Sequence, residues 1–183
     1  MGRTLYGDKF SIEIIREYDN LEFDFPIFEN SLIPKGKYWH TYLEFNNNTA
    51  TNRDVYGEIE ISTGNYYNGT RKDLFGEVVW VVNKHLSLNA DYRHNIISLA
   101  DDAFKTNEIG ARIRYDFSTM VNSSVFTQWN NEQHELNFNY RFNWQPNIGS
   151  NFFVVVNHLI STKNVIKTKD IAVLIKLVWL FVL

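Results

Sequence analysis

The chain has 183 residues, of which 44% are hydrophobic and 16% aromatic, and it has no cysteine. This length holds one domain or part of a larger one, and the lack of cysteine excludes a disulfide scaffold and cysteine-based zinc sites or catalysis. With 18 basic and 21 acidic residues and a net charge of −3, no basic stripe stands out, which argues against a nucleic-acid partner.

Residues 1–36 read as an irregular segment with one strand, over 10–16. Leu21, Phe23, Phe25 and Ile27 alternate, but Pro26 interrupts them, and Pro34 and Gly36 follow. Residues 18–36 are too apolar to stay in water as a linker, so they are expected to pack in a lumen or between strands. From residue 37 to the end the pattern changes. Nine strands are predicted, over 37–46, 54–63, 72–82, 85–95, 107–117, 120–130, 133–144, 151–160 and 170–182.

Side chains of a strand alternate between its two faces. In 39–45, Trp39, Leu43 and Phe45 oppose His40, Tyr42 and Glu44. In 55–61, Val55, Ile59 and Ile61 oppose Tyr56, Glu58 and Glu60. In 109–117, Ile109, Ile113, Tyr115 and Phe117 oppose Arg112, Arg114 and Asp116. The clearest case is 135–144, where Leu136, Phe138, Tyr140, Phe142 and Trp144 oppose Glu135, Asn137, Asn139, Arg141 and Asn143. The runs are mostly ten to thirteen residues long. Strands of soluble domains average about 5–6 residues, whereas a tilted membrane strand needs about 9–11. Length and two-sidedness together predict an all-β, antiparallel up-and-down (meander) membrane β-barrel, or the C-terminal part of one.

The connections support the same reading. Residues 83–84, 118–119 and 131–132 are tight turns, and 145–150 is a longer turn built on Pro146 and Gly149. The longest links are expected at 96–106 and 161–169. If the last strand ends in the periplasm, both fall on the outer side, where barrel loops are longer. No run approaches the roughly 20 apolar residues of a spanning helix, and the first ten residues carry no apolar signal-peptide core. An exported barrel needs such a signal, so either the chain is the C-terminal piece of a longer one, with upstream strands or an upstream domain as partners, or the membrane reading does not hold.

Several segments carry a resemblance: I-P-K-G-K-Y-W at 33–39, G-N-Y-Y-N-G-T-R at 64–71, N-K-H-L-S-L-N-A-D-Y at 83–92, R-I-R-Y-D-F-S at 112–118, F-T-Q-W-N at 126–130, R-F-N-W-Q-P-N-I-G-S-N-F-F-V-V-V-N at 141–157 and K-L-V-W-L-F at 176–181. In this order they resemble the C-terminal outer-membrane barrel region of large bacterial proteins, mostly from Bacteroidetes. There the region follows a family 9 carbohydrate-binding-like domain and is catalogued as domain-of-unknown-function family 5916. The resemblance runs from about residue 8 to the end and implies a bacterial outer-membrane location and a barrel fold, with no reaction. The upstream domain is missing here, so sugar binding does not carry over. Barrels of this kind commonly end on an aromatic residue, whereas this chain ends on Leu183, with Phe181 two before it and Trp179 on the same face.

The charged and aromatic positions define the candidate surfaces. Arginine on a lipid face at mid-membrane costs about 2–4 kcal/mol. Arg112, Arg114, Asp116, Glu135, Asn137, Asn139, Arg141 and Asn143 are therefore expected to face a wet lumen. There they either form a charged constriction or docking surface for anionic solutes, or fill the barrel as a ladder of ion pairs and amide hydrogen bonds. Trp39, Trp80, Trp129, Leu136, Phe138, Tyr140, Phe142, Trp144, Trp179 and Phe181 are expected toward lipid. Tryptophan and tyrosine favour the membrane–water boundary, and a sugar-stacking platform for an oligosaccharide is the alternative. His40, His85, His94, His134 and His158 show no ligand spacing. Asp91, Asp101, Asp102 and Glu108 lack the calcium-loop pattern, and Ser118, Ser123 and Ser124 lack a G-x-S-x-G context. No metal, cofactor or enzymatic role is therefore expected. The leading reading is a partial outer-membrane barrel acting as pore, docking or anchoring element on a lipid bilayer. The alternative is a soluble β-barrel or sandwich binding a small apolar ligand or a carbohydrate.

Overall fold

The computed structural model describes residues 2–4, 7–28 and 31–181, and it contains strands without helix. Strand β1 (Gly2–Arg3) precedes β2 (Lys9–Leu21), and a separate small hairpin is formed by β3 (Phe25–Phe28) and β4 (Ser31–Ile33). The remaining strands are β5 (Gly36–Asn48), β6 (Val55–Tyr66), β7 (Gly69–Val81), β8 (Leu86–Ser98), β9 (Ala103–Asp116), β10 (Val121–Asn130), β11 (Glu135–Trp144), β12 (Asn151–Ser161) and β13 (Lys167–Val178). Except for β3 and β4, they form one 11-stranded sheet in the order β1-β2-β5-β6-β7-β8-β9-β10-β11-β12-β13. After β5 each strand neighbours the next in sequence, so the fold is an all-β, up-and-down meander.

The strands run ten to fourteen residues from β5 onward, because alternation persists well past the ends that turn residues alone suggest. Ile96 and Ile97 continue β8, and Asn95 donates to Thr106 Oγ1 at 2.7 Å across to β9. Lys167 and Thr168 pair with Ser161 and Ile160 past a register shift at Leu159/Ile160. The long links expected at 96–106 and 161–169 therefore shrink to 99–102 and 162–166, shorter than the turn at 145–150. Loop length does not separate the two ends of the sheet in the expected way. The longest connection is 22–35, which carries β3 and β4.

The N-terminal segment departs from the expectation of irregular chain. The strand expected at 10–16 extends to Lys9–Leu21 and pairs with β5 at thirteen successive positions, from Lys9↔Asn48 to Leu21↔Gly36. Adjacent Ile14 and Ile15 blur the alternation in the sequence, but only Ile14 stands on the exposed apolar row, 79% exposed. At the other end β13 stops at Val178 rather than 182. Trp179, Leu180 and Phe181 follow it outside the strand, and Val182 and Leu183 lie beyond the described residues. Leu180 N–H donates to Ser150 Oγ at 3.1 Å, and Ser150 is buried. A Cβ on Gly149 (φ +84) would stand 2.7 Å from the Leu180 side chain. The 145–150 turn thus holds the tail, which is why it does not continue as a strand.

Contacts divide the chain into two compact units, Met1–Glu77 with Tyr92–Asn107, and Val78–Asp91 with Glu108–Leu183. Neither has a conventional apolar core. Among the described residues only Ile33, Ile97 and Val155 are buried hydrophobic side chains.

In the first unit β5 and β6 pinch together at Gly64, opposite Tyr42, where an added Cβ would lie 2.3 Å from the Thr41 carbonyl oxygen and 2.4 Å from Tyr42 Cα. Backbone cannot yield as a flexible side chain can. Gly64→Ala should cost about 1–3 kcal/mol as an overpacking change, read as a lowered urea midpoint of the refolded protein.

Candidate functional site

Residues directly opposite on neighbouring strands share a face, so the pairing fixes what each face presents. In the second unit one face reads across β9, β10, β11, β12 and β13 as Asp116, Asn122, Asn143, Phe153 and Lys176. The next row is Arg114, Ser124, Arg141, Val155 and Leu174, followed by Arg112, Phe126, Asn139, Asn157 and Ala172. Arg112, Arg114, Asp116, Glu135, Asn137, Asn139, Arg141 and Asn143 therefore all share one face. The opposite face carries Ile109, Ile113 and Tyr115 of β9, Leu136, Phe138, Tyr140, Phe142 and Trp144 of β11, and Ile171, Val173, Ile175 and Leu177 of β13. Toward β12 and β13 the polar face turns apolar, with Phe153, Val155, Leu159 and Leu174 on it.

The polar side chains of this unit bond to one another. Arg114 pairs with Asp116 two residues along the same strand, at 2.8 Å. Arg141 Nε donates to Asn139 Oδ1 at 2.9 Å, and the Asn139 amide donates to Asn157. Lys169 Nζ lies 2.6 Å from Glu135 Oε1, reaching over β12. The Arg112 guanidinium lies 4.8 Å from the centre of the Phe126 ring. Gly110 is buried on the same face because the Asp91 carboxylate occupies the space where a Cβ would stand, 2.3 Å from it.

The aromatic positions divide between the strand ends. Trp129 stands near the 131–134 turn, and its Nε1 donates to Thr162 Oγ1 at 3.1 Å. Tyr115, Phe117 and Trp144 stand at the opposite ends of their strands, and Tyr115 and Phe117 pack edge to face at 4.7 Å. In the first unit the Trp39 and Tyr18 rings meet at 5.0 Å, tilted by 51°, with Arg16 over the Trp39 ring. Trp80 is exposed near the end of β7. Trp179 and Phe181 are exposed but lie beyond β13, off any strand face.

The first unit repeats the two-sided plan with a different charge. Its apolar row (Ile12, Phe45, Ile61, then Ile14, Leu43) stands opposite a row of acids. Glu13 lies directly across from Glu44, and Glu44 from Ser62. Glu17 lies across from His40, and Glu60 from Asn46. Of these, Glu17, His40, Glu44, Glu60 and Ser62 line a cavity of about 200 Å³ together with Asp19, Tyr42, Tyr66, Arg71 and Asp73. Arg71, its cation, is tied to Asp73 at 2.6 Å and lies over the Tyr66 ring. Ser62 Oγ donates to the other Asp73 oxygen at 2.9 Å.

His40, 5% exposed, accepts the Tyr67 N–H at Nδ1 (3.2 Å), so Nε2 carries the proton and donates to Asp19 at 3.2 Å. Tyr67 O–H also donates to Asp19. This network holds Tyr67 in the left-handed region (φ 48) at the β6–β7 turn. Sequence reasoning picked out the arginine rows and missed this acidic cavity. Its signal is the acid row of β2 (Glu13, Glu17, Asp19), visible only once 9–21 is read as a full strand.

The other histidines are engaged singly: His85 with the Asp116 carbonyl, His94 with Asn107 and His158 with Thr168, while His134 takes a positive φ in its turn. Among the described residues no three His, Asp or Glu side chains gather as a metal site. No protein-family model, no curated protein and no solved structure matches the chain.

Two outcomes test this geometry. Like charges directly opposite one another destabilise a sheet, so Glu44→Gln should raise stability by about 0.2–1 kcal/mol, seen as a higher unfolding midpoint. Burial beside the Asp19 charge pushes the Tyr67 phenol from 10.0 up to about 12. The folded state holds that proton more tightly. The stability it contributes is full below pH 10.0 and is lost as pH rises toward about 12. Unfolding followed by phenolate absorbance should show this alkaline loss, and Tyr67→Phe should remove it.

Proposed function

We propose that the chain forms membrane-spanning strands of an outer-membrane β-barrel, whole or partial, whose polar face bounds a wet passage or docking surface. It performs no chemistry of its own. The observation that carries this reading is the inversion of burial. Ile14, Leu43, Ile59, Ile61, Ile109, Ile113, Ile175 and Leu177 are exposed, whereas His40, Ser62 and Gly110 on the opposite faces are buried. A soluble domain of this size turns such aliphatic rows inward, because apolar surface left in water costs about 25 cal/mol per Å². Contiguous exposed apolar surface marks contact with a partner or a membrane. Rows this long, on strands of ten or more residues, suit hydrocarbon.

The aromatic placement supports the same occupant. From Leu136, opposite Trp129, to Trp144 is eight residues, about 27 Å of strand at ~3.4 Å per residue. A barrel presents an apolar band about 25 Å tall between two aromatic girdles. The resemblance of 141–157 and neighbouring segments to the barrel region of family 5916 points to the outer membrane of a bacterium. The ion-paired, amide-bonded arrangement around Arg114, Arg141 and Asn139 favours the structural ladder over an open ring of anion-binding arginines.

The test is assembly in lipid. The refolded protein should float with phospholipid vesicles and migrate differently on gels before and after heating. Phe138→Arg and Ile113→Arg should each lose about 2–4 kcal/mol of folding free energy in vesicles, while Asn139→Arg on the polar face should assemble like the parent. Equal behaviour of all three variants in a detergent-free, monodisperse solution would overturn the reading in favour of a soluble β protein.

A further inference from the structure

The 22–35 connection does not project away from the sheet. It leaves β2 and re-enters at β5, yet its hairpin touches down on β9, four strands further along the sheet order, about 19 Å at ~4.8 Å per strand. Phe28 stacks on Phe104 at 4.5 Å with the rings 8° from parallel, and the Ser31 hydroxyl donates to the Asp102 carboxylate. Ile33 is completely buried and Ser31 nearly so. The base is braced by Lys35 N–H donating to Asp24 Oδ1 at 2.9 Å and Tyr38 O–H donating to the Pro34 carbonyl at 2.6 Å.

The face it lands on is the polar one. Phe104 alternates with Thr106, which accepts from Asn95. Asn95 alternates with Arg93, whose guanidinium lies 4.6 Å from the Phe75 ring centre. Phe75 alternates with Asp73 and Arg71, which line the acidic cavity. The hairpin therefore lies across the end of the first unit's polar face, and its Leu32 and Phe25 side chains are exposed.

We propose that the β3–β4 hairpin is a docked cap over that end of the polar face, and that it sets how freely small polar solutes reach the passage beneath it. The proposal rests on the membrane reading above. The hairpin is its own two-stranded sheet, held to the 102–104 segment by side chains, among them the Phe28–Phe104 stack and the Ser31–Asp102 hydrogen bond, so it can be released without breaking any strand pairing of the large sheet.

The experiment uses the full chain refolded into phosphatidylcholine vesicles loaded with potassium chloride. Flotation reports insertion, and potassium leak reports passage. Phe104→Ala and Asp102→Ala should float like the parent and leak faster, by about twofold or more, as expected when a constriction is widened. The double variant Ser31→Cys/Asp102→Cys, whose side chains meet, should leak slowly when oxidised and fast when reduced, which gives the same answer should either alanine variant fail to fold. Flotation with a leak that the redox state of the tether and the β9 variants leave unchanged overturns the cap while leaving the membrane reading intact. Failure of the parent to float overturns the membrane reading, and the cap with it.

Discussion

Everything in this fold depends on one constraint: each long strand gives its backbone hydrogen bonds to neighbouring strands while its two rows of side chains meet different surroundings. Period-two alternation makes the two rows chemically distinct, and a slip of one residue would exchange them. The pairing of β9 through β13 preserves the rows across five strands, so that Arg112, Asn139 and Asn157 line up while Phe138, His158 and Ile171 line up on the reverse. The register shift between β12 and β13, at Leu159/Ile160, falls near a strand end where few positions remain to be exchanged.

Stability then has to come from sources other than a dry core, since Ile33, Ile97 and Val155 are the buried hydrophobic side chains among the described residues. Ladder hydrogen bonds between strands of ten or more residues are the first source. Polar contacts on the wet faces are the second: Arg71 with Asp73 and Ser62, His40 with Asp19 and the Tyr67 amide, Asn139 with Asn157 and Arg141. Exposed ion pairs alone contribute little. These count for more because several are partly buried and share partners. Lipid against the apolar rows is the third source in the proposed setting, and there an unpaired backbone group is not tolerated, which explains strands this long and turns this short.

Much of this was legible in the residues. The strands of the C-terminal half were readable because Glu135–Trp144 and 109–117 alternate without interruption, and their turns carry Asn, Ser, Pro and Gly. The polar row of β11 was readable for the same reason. The N-terminal half was harder. Ile14–Ile15 breaks the alternation of β2, and Pro26 hides a hairpin whose partner residues lie in another part of the chain. The acidic cavity was not legible as a site, because its acids come from β2, β5, β6 and β7, and only pairing brings Glu17 opposite His40 and Glu44 opposite Ser62. Trp179 and Phe181 continue the β13 alternation on paper, yet the buried Ser150 hydroxyl accepts the Leu180 amide and draws that segment out of the sheet.

By itself the sequence determined that the chain is all-β, that its strands are long, and that the clearest of them have an apolar and a polar row, because those properties follow from local spacing and need no knowledge of neighbours. Only the tertiary structure decided which wet residues meet, that the first unit is acidic where the second carries arginine, and that 22–35 folds back onto β9. Those outcomes depend on contacts between residues as far apart as Ser31 and Asp102, and no periodicity along the chain encodes a meeting at that separation.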